Sequence, residues 1–387
     1  MARFDKVTNV MQFREGAKRA LPAPLFHYID GGGDDEWTLR RNTDAFDDYE
    51  LMPRYLIDVA DVDLTTKIFG TEISMPVFLS PTGMSRLFHH EKELGAARAA
   101  ASFNTMYSLS TVGTTSIEDV GAATDGPKMF QIYVFKDKGL AREFIQRCKA
   151  AGFTSLCLTV DLPIAGNRER DVHWGMSMPP KLSPRSLASF AYHIGWAMNL
   201  AKNPGFELAN VADRTEALKG QDISLMEYVN QQLTPSVTWD DVGWMIEEWG
   251  GPFAIKGLQS ADDARRAVDV GASSIMISNH GGRQLDGVPA PVDCVAPMRD
   301  AIGDKLELIV DGGVRRGTHV LKALALGADA CSFGRPYLYG LASGGQAGVE
   351  HVLKLMRTEL KRDMMMMGWR SIDEVHKSGV QAARLRG

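Results

Sequence analysis

Cysteine is scarce. The chain has four in 387 residues, Cys148, Cys157, Cys294 and Cys331, and no two stand at a CxxC spacing. That excludes a disulfide framework and a ribbon-type zinc site, so no metal is expected and reduced thiols in a cytoplasmic setting are the simplest reading. Long apolar runs are also missing, and no uninterrupted stretch suffices to span a bilayer. The N-terminus MARFDKVTNVMQFREG carries charges where a signal peptide needs an apolar core. No block of lysines and arginines stands out and the net charge is −5, which argues against a nucleic-acid partner. What remains is ordinary globular material, 44% hydrophobic and 24% charged. The length suits one large α/β barrel with additions.

The order of segments supports that architecture. Residues 1–70 read as a mostly helical extension, with a short amphipathic helix from Phe13 to Ala20 that stops at Leu21-Pro22. Gly31-Gly32-Gly33 breaks the chain again, and turns with short strands are expected from there to Pro76. Beyond it, apolar runs alternate with alanine-rich helical stretches. The runs are 76–81, 105–110, 128–134, 155–161, 252–257, 274–279, 306–312 and 330–335. Continuous apolar runs of this length suit parallel strands buried on both faces. Helices are expected at 91–102, 138–151, 261–270 and 316–326. Eight strands alternating with helices make a (β/α)8 TIM barrel. About 90 residues separate Asp161 from Pro252, far more than an ordinary connection. We therefore expect one domain over 1–387: an extension at 1–70, a barrel at 71–360 carrying an insertion at 172–235 after the fourth strand, and a tail at 361–387.

In this fold the chemistry sits at the C-terminal ends of the strands. Nearly every expected strand ends in polar residues: Pro81-Thr82-Gly83, Ser110, Gln131 with Tyr133, Thr159 with Asp161, Lys256, Ser278 with His280, Asp311, and Gly334-Arg335. Strands seven and eight run into glycine and arginine, at Asp311-Gly312-Gly313-Val314-Arg315 and Gly334-Arg335. Loops at this place form the usual phosphate site of the fold, although tight turns with solvated arginines would read the same way. His280 can exchange a proton near neutral pH, and Arg283, three residues on, offers a fork for a carboxylate. A histidine capping a turn is the structural alternative. Asp161 could orient that base, or could be a turn aspartate before Leu162-Pro163. Lys256 could be a Schiff-base nucleophile, a charge partner for an anionic cofactor, or a salt-bridged residue.

The stretches SNHGGRQLDG (278–287), DGGVRRGTHVLKALALGA (311–328) and FGRPYLYGLA (333–342) resemble the FMN-dependent L-2-hydroxy acid dehydrogenase and oxidase family. The resemblance runs from Leu21 to about Ala342. It implies FMN as cofactor and oxidation of a small 2-hydroxy acid to the 2-oxo acid. His280 matches the family's catalytic histidine and Asp161 its partner. Arg283, Arg168 (in GNRERD) and Tyr28 match residues that hold the substrate carboxylate, and Tyr133 the tyrosine near the substrate hydroxyl. Lys256 matches a lysine at the flavin N1 and O2 edge, which sets the Schiff-base reading aside. Pro81, Thr82, Gly83, Ser110, Gln131, Thr159 and Ser278 match flavin contacts. Asp311, Gly313, Arg315, Gly334 and Arg335 match the ribityl and phosphate site.

Val112 departs from glycolate oxidase, where a tryptophan-bearing pattern stands. LSTV and RDVHWGMSMP look more like the L-lactate and mandelate dehydrogenases. L-Lactate is thus the expected substrate, with aromatic hydroxy acids open. The resemblance also implies an acceptor (quinone, cytochrome or oxygen) and a homotetramer. No Asp or Glu occurs from Val172 to Phe206, while Lys181, Arg185 and Lys202 stand among Trp174, Leu187, Phe190, Ile194, Trp196 and Leu200. That mixture suits a peripheral contact with the inner face of the cell membrane, and equally a lid or an oligomer interface. A peroxide-forming oxidase, a non-catalytic flavin sensor and a peptide maturase are the competing readings. His280 together with Arg283 argues against the last two.

Overall fold

A computed structural model describes residues 4–133, 136–176, 183–211 and 233–379, and the backbone of 383–385. Eight parallel strands close into a barrel: β1 Val77–Thr82, β2 Tyr107–Ser110, β3 Lys128–Tyr133, β4 Ser155–Thr159, β5 Phe253–Lys256, β6 Ser274–Ser278, β7 Glu307–Asp311 and β8 Ala330–Phe333. Strand β8 pairs back onto β1 through Cys331 and Val77. The eight apolar runs are these strands. Val134, the last residue of the third run, lies outside the described residues.

Inside the barrel the side chains form layers. A lower apolar layer holds Phe78, Met129, Cys157, Ala254, Met276, Ile309 and Ala330. Side chains two residues apart on a strand share a face. The next inward positions are therefore Ser80, Gln131, Thr159, Lys256, Ser278, Asp311 and Ser332, all polar and all buried. The hairpin of strands Thr66–Ile68 and Thr71–Ile73 adds Ile68, Phe69 and Ile73 to the lower layer and closes that end of the barrel. Between Leu79 and Thr82 the β1–β2 ladder slips in register, a bulge of the kind that re-aims side chains beside active sites.

The four anticipated helices are present as Lys92–Ser102, Lys138–Ala150, Ala261–Asp269 and Gly317–Ala325. Ile117–Ala123, Trp239–Trp249 and Val295–Ile302 complete the outer layer with Arg335–Met367. The last is interrupted at Gly344-Gly345, where Gly345 has φ +62 and Glu91 accepts from the Gln346 N–H at 2.5 Å.

The extension carries more helices than the one its sequence marks out at Phe13 to Ala20. Leu21 caps helix Val10–Ala20, and a second helix, Ala23–Asp30, opens behind Pro22 with Pro24 in its first turn, where no intrahelical N–H partner is lost. Turns and short strands were the expectation for 33–76, yet helix Trp37–Asp44 lies there. That expectation is corrected for 37–44, while short strands do lie at Tyr49–Leu51, Thr66–Ile68 and Thr71–Ile73. The helix escapes apolar periodicity because its buried residues are polar: the Thr38 N–H donates to Asp286 at 2.7 Å, and Asn42 and Asn279 exchange hydrogen bonds at 2.6 and 2.8 Å. The insertion contains helices Pro184–Tyr192 and Ile194–Lys202; Lys181 falls outside the described residues. Among the described residues no helix is long and apolar enough to cross a membrane.

Candidate active site

The mouth of the barrel opens into a cavity of about 340 Å³. Tyr28, Pro81, Thr82, Gly83, Tyr133, Arg168, Lys256, His280, Arg283, Asp311, Arg315, Gly334 and Arg335 line it. Gln131, Thr159 and Ser278 lie in the inward polar positions below, and buried Ser110 donates to Gln131 Oε1 at 2.9 Å. Thr159 also borders, with Tyr133 and Leu233, a neighbouring cavity of about 210 Å³. Gly313 does not reach the cavity wall. Its φ is +76, and a Cβ there would lie 1.7 Å from the Asn42 carbonyl oxygen, so glycine is needed for helix Trp37–Asp44 to approach.

His280 stands just past β6 in the left-handed region, at φ +57. For a non-glycine residue this costs about 1–3 kcal/mol and persists where the surroundings fix it. Here they do: the His280 N–H donates to Ser278 Oγ at 3.0 Å, and Nδ1 bonds Asp161 Oδ1 at 2.8 Å. The ring also stacks at 24° to Tyr133, with centroids 6.4 Å apart. Burial lowers the imidazole below its ordinary value against the pull of Asp161, so the base is neutral at pH 7. Burial would raise the Asp161 carboxyl, but His280 and Lys256 hold it lower than usual. Asp161 is held through its neighbours: Gln284 Nε2 donates to the Asp161 and Ile164 carbonyls at 3.1 and 2.9 Å.

The arginines are built into the N-terminal helix Ala23–Asp30. Arg283 Nη1 donates to the Tyr28 and Gly31 carbonyls at 2.6 and 3.1 Å, and its guanidinium lies 4.9 Å over the Tyr28 ring. Burial first, then Arg168, lowers Arg283 to about 10. Arg168 Nε reaches the Arg283 carbonyl at 3.4 Å. Arg335 is committed to the same helix end, donating to the Ile29, Gly281 and Gly31 carbonyls at 2.9, 2.9 and 2.7 Å. Carbonyls at a helix C-terminus lack intrahelical partners, so guanidinium donors suit them.

On the cavity floor Lys256 Nζ sits 3.2 Å from Asp311 Oδ2 and 3.0 Å from Ser278 Oγ. Ser80, Ser278 and Ser332 donate to Asp311 at 2.6, 2.9 and 2.8 Å. Burial disfavours the Lys256 ammonium, yet Asp311 and Asp161 keep it firmly protonated. Ser80, Ser332 and Gln284 were not singled out from sequence. The two serines occupy the inward position two residues beyond Phe78 and Ala330, and that spacing is the signal that could have found them.

Two observations test whether these residues fit FMN. On adjacent strands Gln131 Nε2 and Thr159 Oγ1 are buried without a protein partner, and burying unpaired polar atoms is costly. A heteroaromatic edge of alternating carbonyls and N–H groups would satisfy both, next to the fixed cation Lys256. Arg315, half-buried, donates through Nη1 to the Val314 carbonyl at 2.8 Å at the mouth of β7, where a phosphate would meet it. The residues fit the cofactor.

The chain matches the family described as FMN-dependent dehydrogenase over residues 17–382. It is 41% identical over 373 residues to L-lactate dehydrogenase of Xanthomonas campestris pv. campestris, covering 95% of each chain. To L-lactate dehydrogenase of Pseudomonas aeruginosa it is 41% identical over 368 residues, covering 94% of this chain and 95% of the relative. Among solved structures it superposes on the monotopic membrane protein (S)-mandelate dehydrogenase with a TM-score of 0.92 and 32% identity, covering 99% of this chain and 100% of the other. A mandelate oxidase variant with (S)-mandelic acid gives a TM-score of 0.81 and 31% identity, covering 96% and 97%. The chain therefore belongs to the FMN-dependent dehydrogenase family, and it is a flavin-dependent oxidoreductase of 2-hydroxy acids.

Proposed function

We propose that the protein oxidises L-lactate to pyruvate, with His280 as general base. The observation that carries this reading is the His280–Asp161 pair at 2.8 Å beside two arginines on one cavity wall. Arg283, Arg168 and Tyr28 hold the substrate carboxylate. Tyr133 stands by the hydroxyl, and burial keeps its phenol protonated. His280 takes the hydroxyl or α-carbon proton on its Nε2 side, and Asp161 stabilises the imidazolium that forms. Lys256, Gln131, Thr159, Ser110, Ser278 and the β1 end at Pro81–Gly83, with Arg315, Gly334 and Arg335 on the phosphate side, would hold FMN, which would supply a two-electron acceptor. The Lys256 ammonium would stabilise the negative charge that reduction of the bound flavin would add.

Lactate is favoured by the L-lactate dehydrogenases at 41% identity. A second reading, aromatic 2-hydroxy acids, is favoured by the apolar side of the cavity, which Met84, Phe88, Val112 and Met176 line. Anaerobic flavin bleaching across a panel of L-2-hydroxy acids decides between them. Reoxidation with oxygen or a quinone then identifies the acceptor, for which we favour a quinone over oxygen or a cytochrome. No bleaching by any hydroxy acid would overturn the reading.

We also propose a peripheral membrane contact on the cytoplasmic side. Tyr192, Ile194, Met198 and Leu187 are exposed on consecutive helices, Tyr192 to 83% and Ile194 to 63%. Polar bonds anchor these helices to the body: Trp196 Nε1 donates to the Leu87 carbonyl at 2.8 Å, and the Ala23 N–H to Ser189 Oγ at 2.8 Å. An apolar outer face over a polar-anchored inner one suits a monotopic contact. Equal solubility of the full chain and a form lacking 178–212 on cell fractionation would count against it. A homotetramer is the assembly we favour, to be checked by sedimentation in detergent.

A further inference from the structure

The cavity wall carries two carboxylates. Asp311 is compensated by Lys256 and three serine hydroxyls. Asp171, in helix Glu169–His173, is not part of the chemistry above. It is buried, and its Oδ2 lies 3.9 Å from Arg283 Nη2, within ion-pair range but beyond hydrogen-bond contact. Burial raises its carboxyl, and the charged groups that act on it most strongly are Arg283, Arg168 and Arg170, which lower it, and Glu36, which raises it. Arg170 is already engaged by Asp30 at 3.0 Å and by Glu36. The charge of Asp171 is thus directed at the two arginines of the carboxylate clamp.

Arg283 does not need Asp171 to stay in place. Two backbone carbonyls hold its Nη1, and its guanidinium lies over the Tyr28 ring. What Asp171 supplies there is charge. We propose that Asp171 sets the anion affinity of the site: a resident carboxylate offsets one of the two clamp cations, so that a carboxylate ligand is bound weakly enough to leave. This rests on the reading of Arg168 and Arg283 as the clamp. Substrate and product both carry the carboxylate, so the clamp holds both alike, and binding shared by the two slows release without speeding the chemistry. Asp171 reduces that shared component.

The effect is large enough to measure. A unit charge about 7 Å away at an effective dielectric of about 20 corresponds to roughly fifty-fold in affinity, and relaxation of neighbouring groups should leave about ten-fold. The experiment is calorimetric titration of the FMN-loaded protein with pyruvate and with its uncharged amide. In Asp171→Asn, which keeps the shape, pyruvate should bind about ten-fold more tightly while the amide changes less than two-fold. Oxalate, a dianion, should gain more than pyruvate. Unchanged or weaker pyruvate binding in Asp171→Asn overturns the proposal. A loss for both pyruvate and amide, in Asp171→Asn and Asp171→Ser alike, assigns Asp171 to scaffolding and overturns it too. Arg168→Met separates the two levels of argument. If that variant binds pyruvate as the parent does, the clamp reading itself fails, whatever Asp171 does.

Discussion

Replacing Asp161 with asparagine tests the acid–base assignment most directly. The carboxylate meets His280 Nδ1 at 2.8 Å, and its other oxygen, Oδ2, is buried without a partner. Its full charge is therefore available to the imidazole. When His280 accepts a proton, the new positive charge centres about 4 Å from the carboxylate, worth up to about 4 kcal/mol at an effective dielectric of about 20. Asparagine can still accept from Nδ1 through its amide oxygen, so the ring keeps its orientation and only the charge is lost. A penalty of about 3–4 kcal/mol is a slowing of flavin reduction by roughly 10² to 10³-fold. The clamp residues are untouched, so the substrate concentration giving half-maximal reduction should move less than about three-fold.

The pH dependence adds a sign to this expectation. Burial lowers His280 and Asp161 raises it, so removing the charge leaves burial less opposed. The acid limb of the reduction rate, already below the usual histidine value, should move to still lower pH in Asp161→Asn. Anaerobic stopped-flow absorbance across pH measures both quantities, after the flavin spectrum has shown that cofactor content is retained. A slowing of less than five-fold, or an acid limb that moves upward, would refute the reasoning.

Arg283→Lys should weaken substrate binding by about 100-fold and also lower the melting temperature, because a lysine cannot hold the Tyr28 and Gly31 carbonyls together; a normal melt with weakened binding would show that the helix is held elsewhere. Gly83→Ala should impair bulky hydroxy acids more than lactate, since the new Cβ would stand 2.5 Å from Val112 Cγ2 and displace it within the cavity. Adding Val112→Ala should restore the larger substrates in steady-state assays. His319, buried and stacked on Phe46 with centroids 4.4 Å apart, is lowered by burial to about 3. Below pH ~6.5 the unfolded chain binds a proton that the native one refuses, so this stability is present above pH 6.5 and is lost as pH falls toward 3. It should amount to roughly 2–3 kcal/mol between pH 6.5 and 4.5, and thermal melts of His319→Gln should show a shallower acid slope than the parent.

The barrel was legible because its strands are buried on both faces, which turns alternation into unbroken apolar runs such as SLCLTV and SIMIS. Helix Trp37–Asp44 was illegible for the opposite reason: it packs through Thr38 and Asn42, and its burial leaves no apolar period. The site divides along the same line. Its polar floor follows a local rule, since a residue two places beyond each lower-layer side chain points inward one layer up. Phe78 leads to Ser80, Met129 to Gln131, Cys157 to Thr159, Ala254 to Lys256, Met276 to Ser278, Ile309 to Asp311 and Ala330 to Ser332. Period-two spacing alone therefore reaches Ser80 and Ser332, which strand ends read one at a time do not suggest. The commitment of Arg283 and Arg335 to the carbonyls of Tyr28, Ile29 and Gly31 follows no such rule, because it joins segments about 250 to 300 positions apart. A guanidinium fork in sequence announces an anion equally well whether its donors meet a ligand or a helix end, and only the fold shows that Arg283 serves the helix while facing the cavity.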